Sequence, residues 1–387
     1  MALFLSPALP AFVLLLKGPE PAVVETRYNM LKSLARGAGL LAYFLITLEM
    51  VFMVTPFALY YYSAYAPFLS ATSRIHSLAW LPAFFLPHLS IDLVPSIGGL
   101  ILLVGLTGFL VGASQIYYAK FRKRGVVKSG FYKRVRHPQY LFLAVAGLGL
   151  VIVWPRFILL IIYINILWFY YLLARSEEKR MQSQRGDGYR QPMRETSMFI
   201  PGEPGRRLAG LLFGWIPSYR LRLFVIYFVS LVAAMGGAFA LRQLSLRLTT
   251  HLSLPGEKMA AVSFLSGNGT QLRGLIQSAI SNREVQDRIN RQDDWTLAQA
   301  MEGKASARHV MIDAGMTRQQ ANNLPLAPKG IKLVFLQRKD QLRRNDPFEA
   351  GVRWQPVFIA EVDDGRVAHI LDLHEAVFQG NPVMPIF

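Results

Sequence analysis

The chain has 387 residues, of which 52% are hydrophobic and only 17% charged, a balance too apolar for an ordinary soluble protein. It carries 42 Lys and Arg against 24 Asp and Glu, a formal charge of +18, and no cysteine. Disulfides, thiolate metal sites and cysteine nucleophiles are thereby excluded. The charge is uneven: residues 1–245 hold 25 basic and 9 acidic residues, whereas residues 246–387 hold 17 and 15. The excess sits in loops between apolar runs, which is the positive-inside pattern of a membrane protein and needs no nucleic acid to explain it.

Taken in order, Ala2 to Leu16 has no Lys or Arg before Lys17 and is broken by Pro7 and Pro10. It reads as an interfacial segment rather than a signal peptide. Ala38 to Tyr62 and Ile97 to Tyr118 are apolar runs of the length needed to cross a bilayer as helix. Between them lies an aromatic, proline-rich stretch (Trp80, Pro82, Phe84, Phe85, Pro87, His88) expected at the interface. Eight Lys and Arg then fall within the 17 residues from Lys120 to Arg136, which marks that side as cytoplasmic.

From Pro138 to Ala174 the chain is largely apolar and is broken by Trp154, Pro155 and Arg156, the pattern of a helical hairpin with its turn on the far side. A second basic segment, Arg175 to Arg207, precedes a short interfacial piece near Leu208 to Ile216 and a last span, Leu223 to Leu241. With the N-terminus inside, five crossings place the C-terminal region on the opposite side, in a membrane expected to be the bacterial inner membrane. Residues 246–387 read as a soluble α+β domain. A helical pattern covers Gln271 to Ile289, a second helix is expected after the N-cap-like Asp293 and Asp294, and strands are expected at Ile331 to Leu336, Val357 to Val362 and Val367 to Leu371. The expected architecture is thus an α-helical polytopic membrane protein of about five transmembrane helices, including a hairpin, with a C-terminal α+β soluble domain. Its divisions fall at 1–95 (first membrane segment), 96–204 (membrane core), 205–245 (interfacial piece and last span) and 246–387.

The residues with chemical promise stand at the cytoplasmic ends of the hairpin. Before its first helix comes Ser129-Gly130-Phe131-Tyr132, then Arg136-His137-Pro138-Gln139-Tyr140; after its second comes Arg175-Ser176-Glu177-Glu178. Antiparallel helices bring these clusters together. At 1.5 Å per residue Tyr140 to Trp154 spans roughly 21 Å and Pro155 to Glu177 roughly 33 Å, so the second helix must tilt or project beyond the first. Cations, an imidazole, a phenol and paired carboxylates then meet where water borders lipid. A water-soluble donor such as S-adenosylmethionine and a lipidic acceptor can both reach such a place. A carboxylate of Glu177 or Glu178 can hold an ammonium, Arg136 can pair with a carboxylate in a planar fork, and His137 and Tyr140 can bond to or stack on a nucleoside.

These runs, with Tyr189 and the closing Phe199-Ile200-Pro201-Gly202, resemble the signature of the isoprenylcysteine carboxyl and phospholipid methyltransferase superfamily. The resemblance covers about Ile97 to Gly202, roughly a quarter of the chain. It implies a helical membrane methyltransferase that uses S-adenosylmethionine on a lipophilic acceptor, a small molecule or a lipidated one. By that resemblance Arg136, Glu177 and Glu178 match catalytic positions, and His137, Pro138, Tyr140, the Glu pair and Tyr189 match the donor-binding wall. Phe142 stands where the family often has a small residue, and is expected to crowd the pocket. Phe131 replaces a proline, and Gln191 and Pro192 lie where a second tyrosine is usual. The competing expectation is a catalytically degenerate membrane anchor whose C-terminal domain docks a partner protein.

Simpler roles compete at each position. Basic residues near Arg136 set topology, the Glu pair can be a solvated helix end, and His137 before Pro138 can start a helix. His76 and His88 as haem ligands, and His369, Asp372 and His374 as metal ligands, are disfavoured against structural roles, so no metal is expected. Gly147-Leu148-Gly149 is expected to serve close helix packing. Asn268-Gly269-Thr270 is a glycosylation sequon, relevant only in a eukaryotic lumen.

Overall fold

The computed structural model describes residues 75–374 apart from short stretches, the longest being 87–92, 186–192 and 340–345. The expected segments Ala2 to Leu16 and Ala38 to Tyr62, and Tyr189, lie outside the described residues. The described residues from 75 onward belong to one compact unit.

Three described helices are long and apolar enough to cross a membrane: α1 (Leu93–Phe121), α3 (Phe157–Arg185) and α5 (Tyr219–Leu248). Between the first two lies α2 (Pro138–Val153), apolar but of only 16 residues. α2 and α3 form the expected hairpin, and α3 projects beyond α2 by about a dozen residues. Proline suits the first turn of α2, where its missing N–H costs nothing. α1 and α2 approach closely along glycines: a Cβ on Gly105 would stand 2.3 Å from the Ala146 backbone nitrogen, and one on Gly149 would stand 2.4 Å from that of Leu102. The Gly147-Leu148-Gly149 run therefore does serve packing, with Gly147 against the Tyr163 ring of α3 and Gly149 against α1.

The turn at Trp154 to Arg156 is covered by the aromatic stretch before α1. Phe84 bridges Arg156 as an isolated β-pair, and Phe157 and Ile158 donate to Ala83 O (3.2 Å) and Leu81 O (2.9 Å). Those bonds satisfy the first amides of α3, which a helix cannot satisfy itself. α4 (Pro204–Phe213) is short and amphipathic, its Leu208, Leu211 and Leu212 exposed with Trp215 just beyond, as befits the interfacial piece. α5 then runs antiparallel to α3. Tyr219 meets Tyr171 (hydroxyls 3.3 Å apart), Tyr227 donates to Asn165 Oδ1 (3.0 Å), the Trp168 indole donates to Ser230 Oγ (3.1 Å), and Phe239 packs on Phe157 (4.4 Å).

After α5 comes a mixed six-stranded sheet in sequence order: β1 (Thr250–Leu254), β2 (Met259–Ser263), β3 (Thr296–Glu302), β4 (Ile331–Arg338), β5 (Trp354–Asp363) and β6 (Arg366–Asp372). Only the β2–β3 pair is parallel, and its crossover carries α6 (Gly269–Ser281) and α7 (Arg283–Asn290). The single expected helix over 271–289 is therefore two, divided where Asn282 caps the second. α8 (Gly303–Asp313) and α9 (Arg318–Asn322) connect β3 to β4. The two sheet faces each bury an apolar cluster, one around Met301, Val334 and Trp354, the other around Ile276, Phe335 and Phe358.

The three expected strands are present as β4, β5 and β6. The helix expected after Asp294 is instead strand β3: Asp294 binds Arg338 of β4 (2.5 Å) rather than capping a helix. The Thr-Leu-Ala-Gln-Ala-Met run has little strand propensity, but it lies centrally between β2 and β4 and is buried throughout up to Met301, so sheet pairing overrides local preference.

Candidate functional site

The site is assembled by two loops closing on the projecting end of α3. Gly130, at φ +61°, starts a single turn of 3-10 helix (Gly130–Lys133); a Cβ there would meet the Gln115 amide at 2.6 Å. The Tyr132 hydroxyl then donates to Gln139 Oε1 (3.0 Å), tying the turn to the start of α2. Further on, Val135 pairs with Ser197 in a parallel β-bridge, with Arg136 N bonded to Ser197 O (2.9 Å) and His137 N to Met198 O (3.1 Å). The chain after α3 thus folds back over Arg136 and His137.

Arg136 is fully engaged. Its Nε donates to Glu178 Oε1 (2.6 Å), its Nη1 donates to Met193 O (3.0 Å) and to Thr196 O, and its Nη2 lies 3.5 Å from Glu203 Oε1. The planar guanidinium is held as a fork. Glu177 accepts from the Tyr140 hydroxyl (2.6 Å). His137, 5% exposed, lies between the two carboxylates, with Nδ1 3.4 Å from Glu177 Oε2 and Nε2 3.5 Å from Glu178 Oε1. Neither contact is a well-directed hydrogen bond. Burial pulls the imidazole pKa down, and the flanking Glu177 and Glu178 more than offset it, leaving it raised above the ordinary 6.5. The His137, Tyr140 and Tyr170 rings stack in sequence, with centroids 5.8 Å and 5.2 Å apart.

Beside this cluster opens a cavity of about 960 Å³. Arg136, Tyr140, Glu178 and Glu203 line its polar part, and Leu141, Ala144, Leu167 and Ile226 line its apolar part. Of the residues singled out in the sequence, Arg136, Tyr140 and Glu178 reach the cavity. His137 and Glu177 stand behind and brace them, and Pro138 starts α2. Glu203, Tyr170 and Arg222 were not singled out; Glu203 is brought in by the left-handed turn at its own position (φ 47°), which leaves little trace in a sequence.

Phe142 does not crowd this cavity. Its ring packs on Phe131 (4.8 Å) and occupies the space that a Cβ on Gly108 would need (2.2 Å). Two residues along a helix turn by about 200°, so Phe142 faces α1 while Tyr140 faces the cavity. No group of three or more His, Asp or Glu able to hold a metal occurs among the described residues. His369 lies 3.8 Å from Glu361, and Asp372 is bound to Arg288 (2.7 Å).

Residues 98–187 match the sequence model of the phospholipid methyltransferase family. The match covers 90 of the 387 residues, under a quarter of the chain, and falls on the segment whose motifs resemble the isoprenylcysteine carboxyl and phospholipid methyltransferase superfamily. The matched segment holds α2, nearly all of α1, all of α3 and the Arg136 to Tyr140 run, and it ends before α4, α5 and the sheet. No curated protein and no solved structure matches the chain.

Proposed function

We propose that the chain is an integral membrane methyltransferase that uses S-adenosylmethionine to methylate a lipophilic acceptor, with carboxylate O-methylation preferred to amine N-methylation. The observation that carries this reading is one cavity with the Arg136–Glu178 pair at its polar end and apolar walls beyond it. The residues suit the donor: Glu178 and Glu203 offer carboxylates to an ammonium, and Tyr140, Tyr170 and Phe199 offer rings to an adenine, while His137 braces Tyr140 from behind. When bound, S-adenosylmethionine supplies a methyl group activated by a sulfonium. The chain's own groups position and exclude water. Arg136 orients Glu178, Glu177 fixes the Tyr140 ring, and α4 and α5 close the flank toward lipid, so that alignment supplies much of the rate. A carboxylate acceptor is already an anion and needs no general base, which agrees with a cavity lined by Arg136, Arg175 and Arg222.

Titration calorimetry of S-adenosylmethionine into detergent-purified protein tests the reading. Binding by the wild type, reduced about tenfold or more in Glu178→Ala and reduced in His137→Ala, is expected; a folded wild type that binds no donor overturns it.

We further propose that the sheet domain lies across the membrane from this mouth, because α5 begins beside Tyr171 and reaches the hairpin turn before β1. Single cysteines at Ser129 and Ser281 in this cysteine-free chain should react with an impermeant maleimide from opposite sides of oriented vesicles. Labelling from one side sinks the assignment.

A further inference from the structure

The cavity has a second cationic station beside the Arg136–Glu178 pair, made by Arg175, which feels the Glu178 carboxylate without forming an ion pair with it, and by Arg222. Arg175 is one turn of α3 deeper into the membrane than Lys179, and its guanidinium lies over the Tyr219 ring (4.5 Å) while donating to the Tyr171 hydroxyl (3.2 Å). Arg222, one turn into α5, is held by two bonds to Ile216 O (2.8 and 3.2 Å). Neither arginine forms an ion pair with a carboxylate among the described residues, in contrast to Arg136. Tyr219 lies within electrostatic reach of both, and the first turn of α5 contains no acidic residue to balance Arg220 and Arg222. Both arginines line the same cavity as Glu178.

The walls beyond them change character along the helix axes. Toward the membrane interior α3 presents Leu167 and Trp168, and α5 presents Leu223 and Ile226. The two helices are pinned there by the Asn165–Tyr227 and Trp168–Ser230 bonds, so α5 is a fixed wall and no loose anchor. A ligand fitting this station has an anionic head at Arg175 and Arg222 and an apolar tail between α3 and α5.

We infer that Arg175 and Arg222 form a headgroup site for an anionic amphiphile, phosphate or carboxylate, whose chain lies in the α3–α5 groove. As the site of the acceptor, this rests on the methyltransferase reading. Arg175 lies inside the segment matched to the methyltransferase family and Arg222, on α5, lies beyond it. The planar arginines suit a phosphate or carboxylate, and the aromatic flank holds Arg175 in place for it.

The test uses the full chain in neutral maltoside micelles, titrated with dodecyl phosphate, with dodecanol as the uncharged tail and with inorganic phosphate as the head without a tail. Dodecyl phosphate should bind about tenfold or more tighter than either control. Arg175→Gln and Arg222→Gln should each remove most of that preference, and Arg175→Lys should keep part of it as a point charge without the fork. Equal binding of dodecyl phosphate and dodecanol overturns the site. Inorganic phosphate binding as well as dodecyl phosphate makes it a free-anion site and overturns the amphiphile. If Arg175→Gln weakens S-adenosylmethionine as much as dodecyl phosphate, Arg175 belongs to the donor and the inference fails. Donor binding by the wild type is read separately, so its absence defeats the enzyme reading while the amphiphile result stands by itself.

Discussion

The two ends of the helical hairpin bury arginines in different ways. At the mouth, Arg136 meets carboxylates, with Glu178 at 2.6 Å and Glu203 at 3.5 Å. At the turn, Arg156 and Arg242, each 2% exposed, meet backbone carbonyls. Arg156 donates to Pro82 O (2.5 Å) and lies over the Phe84 ring (4.0 Å), while Arg242 donates to Phe84 O (2.5 Å) and Phe348 O (2.8 Å). Carbonyls stabilise a cation but cannot exchange a proton or receive a ligand's ammonium. Arg156 and Arg242, with Asp346 near the latter only electrostatically, do not line the cavity and act as clamps, whereas Arg136 belongs to a cluster of carboxylates that lines it.

The sharpest way to break that comparison is at the turn. Arg242→Ala removes the donor from two buried carbonyls and leaves a void, and should cost about 2 to 5 kcal/mol of stability. Thermal unfolding in detergent should show the loss, with donor affinity in the folded fraction unchanged; a fall in donor affinity matching that of Glu178→Ala would dissolve the distinction between clamp and site. Phe142 offers a smaller effect. Phe142→Ala should cost about 1 to 3 kcal/mol through lost packing on Phe131 and Gly108 and leave donor binding as it was, whereas a rise in donor affinity would return Phe142 to the cavity.

The smallest effect is in the pH dependence. The folded-state pKa of His137 is raised above 6.5, so its contribution to stability is fully present below about 6.5 and is lost as pH rises through the folded value. The melting temperature of the wild type should therefore fall over that window relative to His137→Gln. Parallel pH profiles for the two proteins would show that the imidazole is not held by Glu177 and Glu178.

Much of the mouth was legible because its parts are local. The Pro138 start, the Trp154 to Arg156 turn and the antiparallel return fix which ends meet, so Arg136, His137 and Tyr140 could be set opposite Glu177 and Glu178 from spacing alone. The Val135–Ser197 bridge and the seating of Glu203 come from pairing across some 60 residues, for which no periodicity gives notice. Phe142 was misplaced for a simpler reason: its position relative to Tyr140 was taken from a family pattern and not from the 100° step of a helix. Strand β3 was misread because its Ala, Gln and Met residues suit a helix in isolation, and only its neighbours in the sheet decide otherwise.

The Arg242 contact also bears on how the chain is made. Its two acceptors come from Phe84, far earlier in the sequence, and from Phe348, 106 residues later. When α5 leaves the ribosome and enters the bilayer, half of the arginine's partners have yet to be synthesised. A guanidinium near the end of a span must until then draw on water or headgroups. The last apolar span is therefore expected to seat fully only once the sheet domain has formed, and a chain stopped between Leu248 and Phe348 should be more readily cleaved near Arg242 in limited proteolysis than the full chain.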